Sequence, residues 1–123
     1  MTVHTFQTVE VIDIKSNNYS SVLAINTTVD PNTTVSSNPI DISKYRTKTI
    51  SGYSTFNGNI KIYVAPTTNA TTFYPYPYYT ADISKNNMFS FSFTEAFALV
   101  KVEVINTDTT SGNIVVYVTM SVL

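Results

Sequence analysis

The stretch MFSFSFTEAFALVKVEVINTDTTSGNIVVYVTMSVL, residues 88–123, decides the fold. It alternates with a period of two in three successive blocks. Phe89, Phe91 and Phe93 oppose Ser90, Ser92 and Thr94; Val100, Val102 and Val104 oppose Lys101 and Glu103. Ile114, Val116, Val118, Met120 and Val122 oppose Val115, Tyr117, Thr119 and Ser121. Side chains of a β-strand point alternately to its two faces, so each block reads as a strand with one face toward a core. The three phenylalanines are expected to anchor that core, since each ring buries a large apolar area. TDTTSG (107–112) is the loop before the last strand. That strand is fairly apolar on both faces, which places it in the middle of a sheet or against a neighbouring subunit.

The same pattern runs upstream. FQTVEVIDI (6–14) and SVLAINT (21–27) read as the first two strands, and DPNTTVSSNP (30–39) as a polar loop punctuated by Pro31 and Pro39. ISKYRTKTIS (42–51) reads as a strand whose Lys44, Arg46 and Lys48 form a solvated basic face. In FNGN (56–59), Asn57-Gly58 predicts a tight hairpin turn, because both residues tolerate positive φ. NIKIYVAP follows, with Ile60, Ile62 and Val64 on one face. YTADIS (79–84) is a short strand and KNN (85–87) a turn. Helix signals are nearly absent, and β-branched and aromatic residues dominate. Seven to nine strands separated by turn clusters predict an all-β chain. The expected architecture is a single antiparallel β-sandwich, jelly-roll-like, spanning residues 1–123 with a mobile N-terminal arm at 1–5.

Composition narrows the function. At 123 residues and 43% hydrophobic content the chain can bury one core. Only 12% of residues are charged and the net charge is -1, so no basic surface is expected to hold nucleic acid. Solubility then rests on Ser, Thr, Asn and Tyr, a surface that repels neighbours weakly and favours dense assembly. With no cysteine, disulfides, thiolate catalysis and zinc-thiolate sites are excluded. MTVHTFQTVEVIDIK carries no basic region followed by an apolar one, so no secretory signal is read there. No apolar run is long enough for membrane insertion. If the chain is full length, it is expected to be made in the cytoplasm and to stay there or to leave inside an assembly.

No catalytic motif emerges, and neither a cofactor nor a metal is expected. His4 is the only histidine and lies at the extreme N-terminus, so a triad or a histidine metal centre has no second imidazole. Asp30, Asp41, Asp82 and Asp108 fall in or near loops. A facing pair of these could serve a glycosidase and a cluster could bind calcium; the plainer reading is capping of turns through nearby backbone N–H groups. Four N-x-S/T sequons make Asn18, Asn26, Asn32 and Asn69 candidate glycosylation sites, although a chain this rich in Asn, Ser and Thr forms sequons by chance.

TTFYPYPYYT (71–80) stands apart from the alternating strands. Pro75 and Pro77 cannot donate to a strand ladder and hold the residues before them extended. The segment should be stiff and polyproline-like, with Phe73, Tyr74, Tyr76, Tyr78 and Tyr79 as its rings. Three roles suit it. The rings could fold over the sandwich edge, form a protein–protein interface, or stack on sugar. The sugar-binding role more often uses Trp, which this chain lacks.

KTISGYSTFNGNIKIYVAP followed by FSFSFTEAFALVKVEVINTDTTSGNIVVYVTM resembles small β-sandwich modules of virion proteins. Such modules occur in tail, spike and decoration proteins of tailed phages and in capsid or turret proteins of archaeal viruses. The resemblance covers about residues 45–122 and rests on the strands Gly58 to Val64, Phe89 to Phe93, Phe97 to Asn106 and Asn113 to Met120. It is a likeness of periodicity without a catalytic signature. The cysteine-free, Asn/Thr/Tyr-rich composition is similar to structural proteins of viruses infecting hot-acid archaea. The resemblance implies a non-enzymatic minor capsid, vertex, turret or decoration subunit. Its partners would be further copies of itself as a homo-oligomer and other capsid proteins, and its location the virion. Phe73, Tyr74, Tyr76, Tyr78 and Tyr79 would then be interface residues. A carbohydrate-binding or adhesin-like sandwich is the alternative, with the same rings stacked on a glycan.

Overall fold

A computed structural model describes residues 18–123. The strand expected at 6–14, the arm at 1–5 and His4 lie outside the described residues. The described residues form nine strands: β1 (Tyr19–Val29), β2 (Thr34–Ser36), β3 (Ile40–Asp41), β4 (Thr47–Ser54), β5 (Gly58–Ala65), β6 (Tyr79–Ile83), β7 (Asn87–Phe93), β8 (Leu99–Asn106) and β9 (Gly112–Ser121). One antiparallel sheet has the order β1-β9-β4-β7. The other has the order β2-β8-β5-β6, with β3 also pairing β8. Because β2 and β3 lie along the same edge of β8, they act as two pieces of one broken strand. The chain then crosses from sheet to sheet at every connection except β5–β6, which is the double Greek key of a jelly roll.

Alternation decides what the sandwich buries. Ile60, Ile62 and Val64 of β5, Val100, Val102 and Val104 of β8, and Ile114, Val116, Val118 and Met120 of β9 all face the space between the sheets. β9 lies between β1 and β4, as its two apolar faces predict. Phe93 is buried, whereas Phe89 and Phe91 are half-buried at the open side of the sandwich, where β7 faces β6.

Four sequence expectations are corrected. The polar stretch 30–39 contains strand β2, because Thr34, Val35 and Ser36 find the edge of β8 at Ile105, Val104 and Glu103. The strand expected at 42–51 starts later, at Thr47. The Asp41 carboxylate accepts hydrogen bonds from the Ser43 amide (2.9 Å) and hydroxyl (2.6 Å), which turns the chain and leaves Lys44 and Arg46 exposed before the strand. Lys48, expected on a solvated face, is fully buried. Its ammonium donates to the carbonyls of Glu95 (2.8 Å), Arg46 (3.1 Å) and Tyr45 (3.4 Å) and lies 4.9 Å over the Phe93 ring.

Asn57-Gly58 makes no hairpin, since β4 and β5 lie in different sheets and neither residue has positive φ. Gly58 belongs to β5 and pairs Ile83 on one side and Asn106 on the other. A Cβ there would sit 1.9 Å from the Ile105 carbonyl oxygen, so the glycine permits close backbone approach. Left-handed residues turn the chain elsewhere, at Asn86 (φ 60°) inside the KNN turn and at Asn32 (φ 57°).

Candidate interaction surface

The one connection between ladder-paired neighbours among the described residues is the segment from Pro66 to Tyr78, and it carries the aromatic stretch. It is tied back to the sandwich. The Tyr74 amide donates to the Val64 carbonyl (3.1 Å), and the Tyr78 amide donates to the Ile62 carbonyl (2.7 Å). The loop therefore continues the β6 edge of its sheet, and its prolines interrupt the ladder there.

The five rings divide by direction. Tyr79 stacks on Phe91 across the open side of the sandwich, with centroids 3.8 Å apart and planes 11° from parallel. Tyr78 meets Phe97, Phe93 and Phe91 edge-on at 5.0, 5.3 and 6.0 Å. Its hydroxyl donates to the Glu95 carboxylate. Burial, then that hydrogen bond and the carboxylate charge, push its pKa up to about 12. Phe73 is half-buried, with the Lys101 ammonium 5.1 Å over its ring and 5.5 Å over that of Tyr63. Tyr76 is 82% exposed and Tyr74 49%. Thus Tyr78 and Tyr79 brace the loop from below, and Tyr74 and Tyr76 stand out from it.

Glu95 joins this brace to the core. Its side chain accepts from Tyr78, and its backbone carbonyl accepts from Lys48. Burial holds the Lys48 pKa below the ordinary lysine value, with the Glu95 carboxylate opposing. Sequence reading missed Lys48 because the signal, a lysine on the same face as Ile50, was read as charge facing water. It also missed Asn106. That buried amide donates to the carbonyls of Val29 (2.9 Å) and Thr110 (3.0 Å) and accepts from the Asp108 amide (2.8 Å), tying the β8–β9 loop to the end of β1.

The loop aspartates serve turns. Asp108 accepts from the Asn57 amide (2.8 Å), Asp30 from the Ser111 hydroxyl (2.8 Å), and Asp41 from Ser43 as above. Hydrogen bonding to Ser43 holds the Asp41 carboxyl below its usual range. Among the described residues no three His, Asp or Glu side chains group closely enough to hold a metal ion. Of the sequon asparagines, Asn26, Asn32 and Asn69 are exposed and Asn18 is half-buried.

Together these features define an antiparallel jelly-roll sandwich that presents two tyrosines on a braced loop. No family model and no curated protein matches the sequence. Solved structures match the fold. The PBSX exported protein XepA superposes with a TM-score of 0.67 at 9% identity over 83% of this chain. The chain spans only 37% of XepA's length. The SPBc2 prophage-derived protein YomS matches with a TM-score of 0.55 at 17% identity, over 84% of this chain and 92% of YomS. PirA matches with a TM-score of 0.54 at 15% identity, over 76% of this chain and 91% of PirA.

Proposed function

We propose that the protein is a non-enzymatic structural subunit of a virion, a minor capsid, vertex, turret or decoration protein that self-assembles or docks on a capsid. The observation that carries this reading is the pair of outward tyrosines on a proline-stiffened loop. Tyrosine offers a large contact area with few rotatable bonds, and a loop already held in place loses little further entropy on docking. Phe73 would form the rim of the contact, with Tyr78 and Tyr79 holding the geometry beneath it. The likeness of fold to a prophage-derived protein supports the reading, as does the virion-module resemblance of the strands. The low charge lets copies approach closely. Partners are further copies and neighbouring capsid proteins of a phage or archaeal virus. The exposed Asn26, Asn32 and Asn69 would stand as glycan acceptors where the host modifies such sequons.

The test is the native mass of the purified chain by light scattering after size exclusion, beside a Tyr74→Ser/Tyr76→Ser variant. A discrete oligomer that the variant loses supports a contact at the loop. A monomer in both forms, with a tyrosine fluorescence change on adding polysaccharide, moves the assignment to a carbohydrate-binding or adhesin-like module.

A further inference from the structure

The charges of the molecule are unevenly divided between its two sheets. Strands β1, β7 and β9 contain no charged residue, and β4 contains only Lys48, whose side chain is turned into the core. Among the described residues, the outer face of the β1-β9-β4-β7 sheet therefore presents no charge of either sign. The outer face of the other sheet carries Lys61, Asp82, Lys101 and Glu103.

The uncharged face is ordered in rows. Met88, Tyr53, Val115 and Asn26 lie side by side across the four strands. The next row is Ser90, Ser51, Tyr117 and Leu23, and the one after it Ser92, Thr49, Thr119 and Ser21. Within the last row Thr49 bonds Ser92 at 2.8 Å and Ser21 bonds Thr119 at 3.3 Å, in pairs where either hydroxyl can donate. Met88, Tyr53, Leu23 and Tyr117 are all exposed.

We infer that this face packs against the same face of a second copy of the chain. Three properties select that occupant. A charged partner surface would strand its ions against Met88, Tyr53 and Val115 with nothing to pair them, at a desolvation cost. A hydroxyl both donates and accepts, so a hydroxyl row complements a copy of itself, which a row of ammonium or carboxylate groups cannot do. The size also fits. Four strands about 4.8 Å apart and about nine residues long give a footprint of roughly 600 Å². Projecting side chains raise its accessible area toward the roughly 800 Å² per partner of a standard interface. Two such sheets would stack as the sheets of a sandwich do, about a two-fold axis that makes the contact isologous. This contact is separate from the Tyr74–Tyr76 loop, which lies on the edge of the other sheet, and stands or falls without it.

The absence of cysteine makes the test clean. A single thiol is introduced by Ser51→Cys, at the centre of the face, or by Thr80→Cys, on the outer face of the other sheet. Alkylation rates are then followed across a protein dilution series. The inference expects labelling of the Ser51→Cys protein to slow about tenfold at concentrations well above the dimer dissociation constant and to recover on dilution. Labelling of the Thr80→Cys protein should not change. Adding Tyr117→Lys to Ser51→Cys should restore fast labelling at every concentration. Protection that dilution does not relieve would mean that the face is covered by residues of its own chain, such as 1–17, and would overturn the inference. Equal fast labelling of both proteins at every concentration would overturn it as well.

Discussion

Lys48 puts an ammonium group where the alternation of β4 calls for an apolar side chain. Its three carbonyl acceptors belong to Tyr45, Arg46 and Glu95, all at chain segments that leave the ladders. Replacing it by methionine keeps the volume and removes the donor those carbonyls share, leaving that of Glu95 only the Phe97 amide (3.0 Å). Lys48→Met is therefore expected to lower stability by about 1–3 kcal/mol, read from urea unfolding midpoints. The two perturbed side chains of this network act oppositely with pH. Lys48 has a lowered folded-state pKa, so in the window between that value and 10.5 the unfolded chain binds more protons, and stability rises with pH. Tyr78 has its pKa raised from 10.0 to about 12, so its contribution is complete below pH 10 and is lost as pH rises through 12. Tyr78→Phe should flatten the alkaline fall in the urea midpoint; an unchanged fall would place the cause elsewhere. Little of this was legible in the sequence. Alternation alone puts Lys48 on the face of Ile50, but the pairing of a lysine with free carbonyls depends on where the 94–98 segment passes, which no local pattern encodes.

At the scale of elements the reading succeeded where the period of two ran unbroken. β7, β8 and β9 lie within a residue or two of the blocks marked by Phe89–Phe93, Val100–Val104 and Ile114–Met120. It failed where a local signal competed with the sheet. Thr34–Ser36 is too short and polar to announce a strand, and it becomes one only because β8 offers an edge. Asn57-Gly58 carries hairpin chemistry, yet the chain crosses between sheets there and uses the glycine for contact with the Ile105 carbonyl. Gly58→Ala is expected to destabilise by about 1–3 kcal/mol through that clash. The urea midpoint reads this loss, and a neutral alanine would contradict the close approach to the Ile105 carbonyl. In the core, Val102→Ala should cost about 1–3 kcal/mol, since the surrounding ladders cannot collapse into the space it leaves.

At the scale of the whole molecule, the jelly roll joins ends that are distant in sequence. β1 pairs β9 along its whole length, and β4 lies between β9 and β7. Loop closure must precede those pairings, so refolding is expected on the millisecond-to-second scale, measurable by stopped-flow tyrosine fluorescence. The class of fold was legible from the number and spacing of strands. The division of charge between the sheets was not, because it requires knowing that β1, β4, β7 and β9 share one sheet. The proposed self-association rests on that division and on the braced tyrosines. Sedimentation velocity of the native chain across a concentration series tests this most directly. The account predicts a discrete heavier species that replaces the monomer as concentration rises. A single monomeric species at every concentration would contradict it.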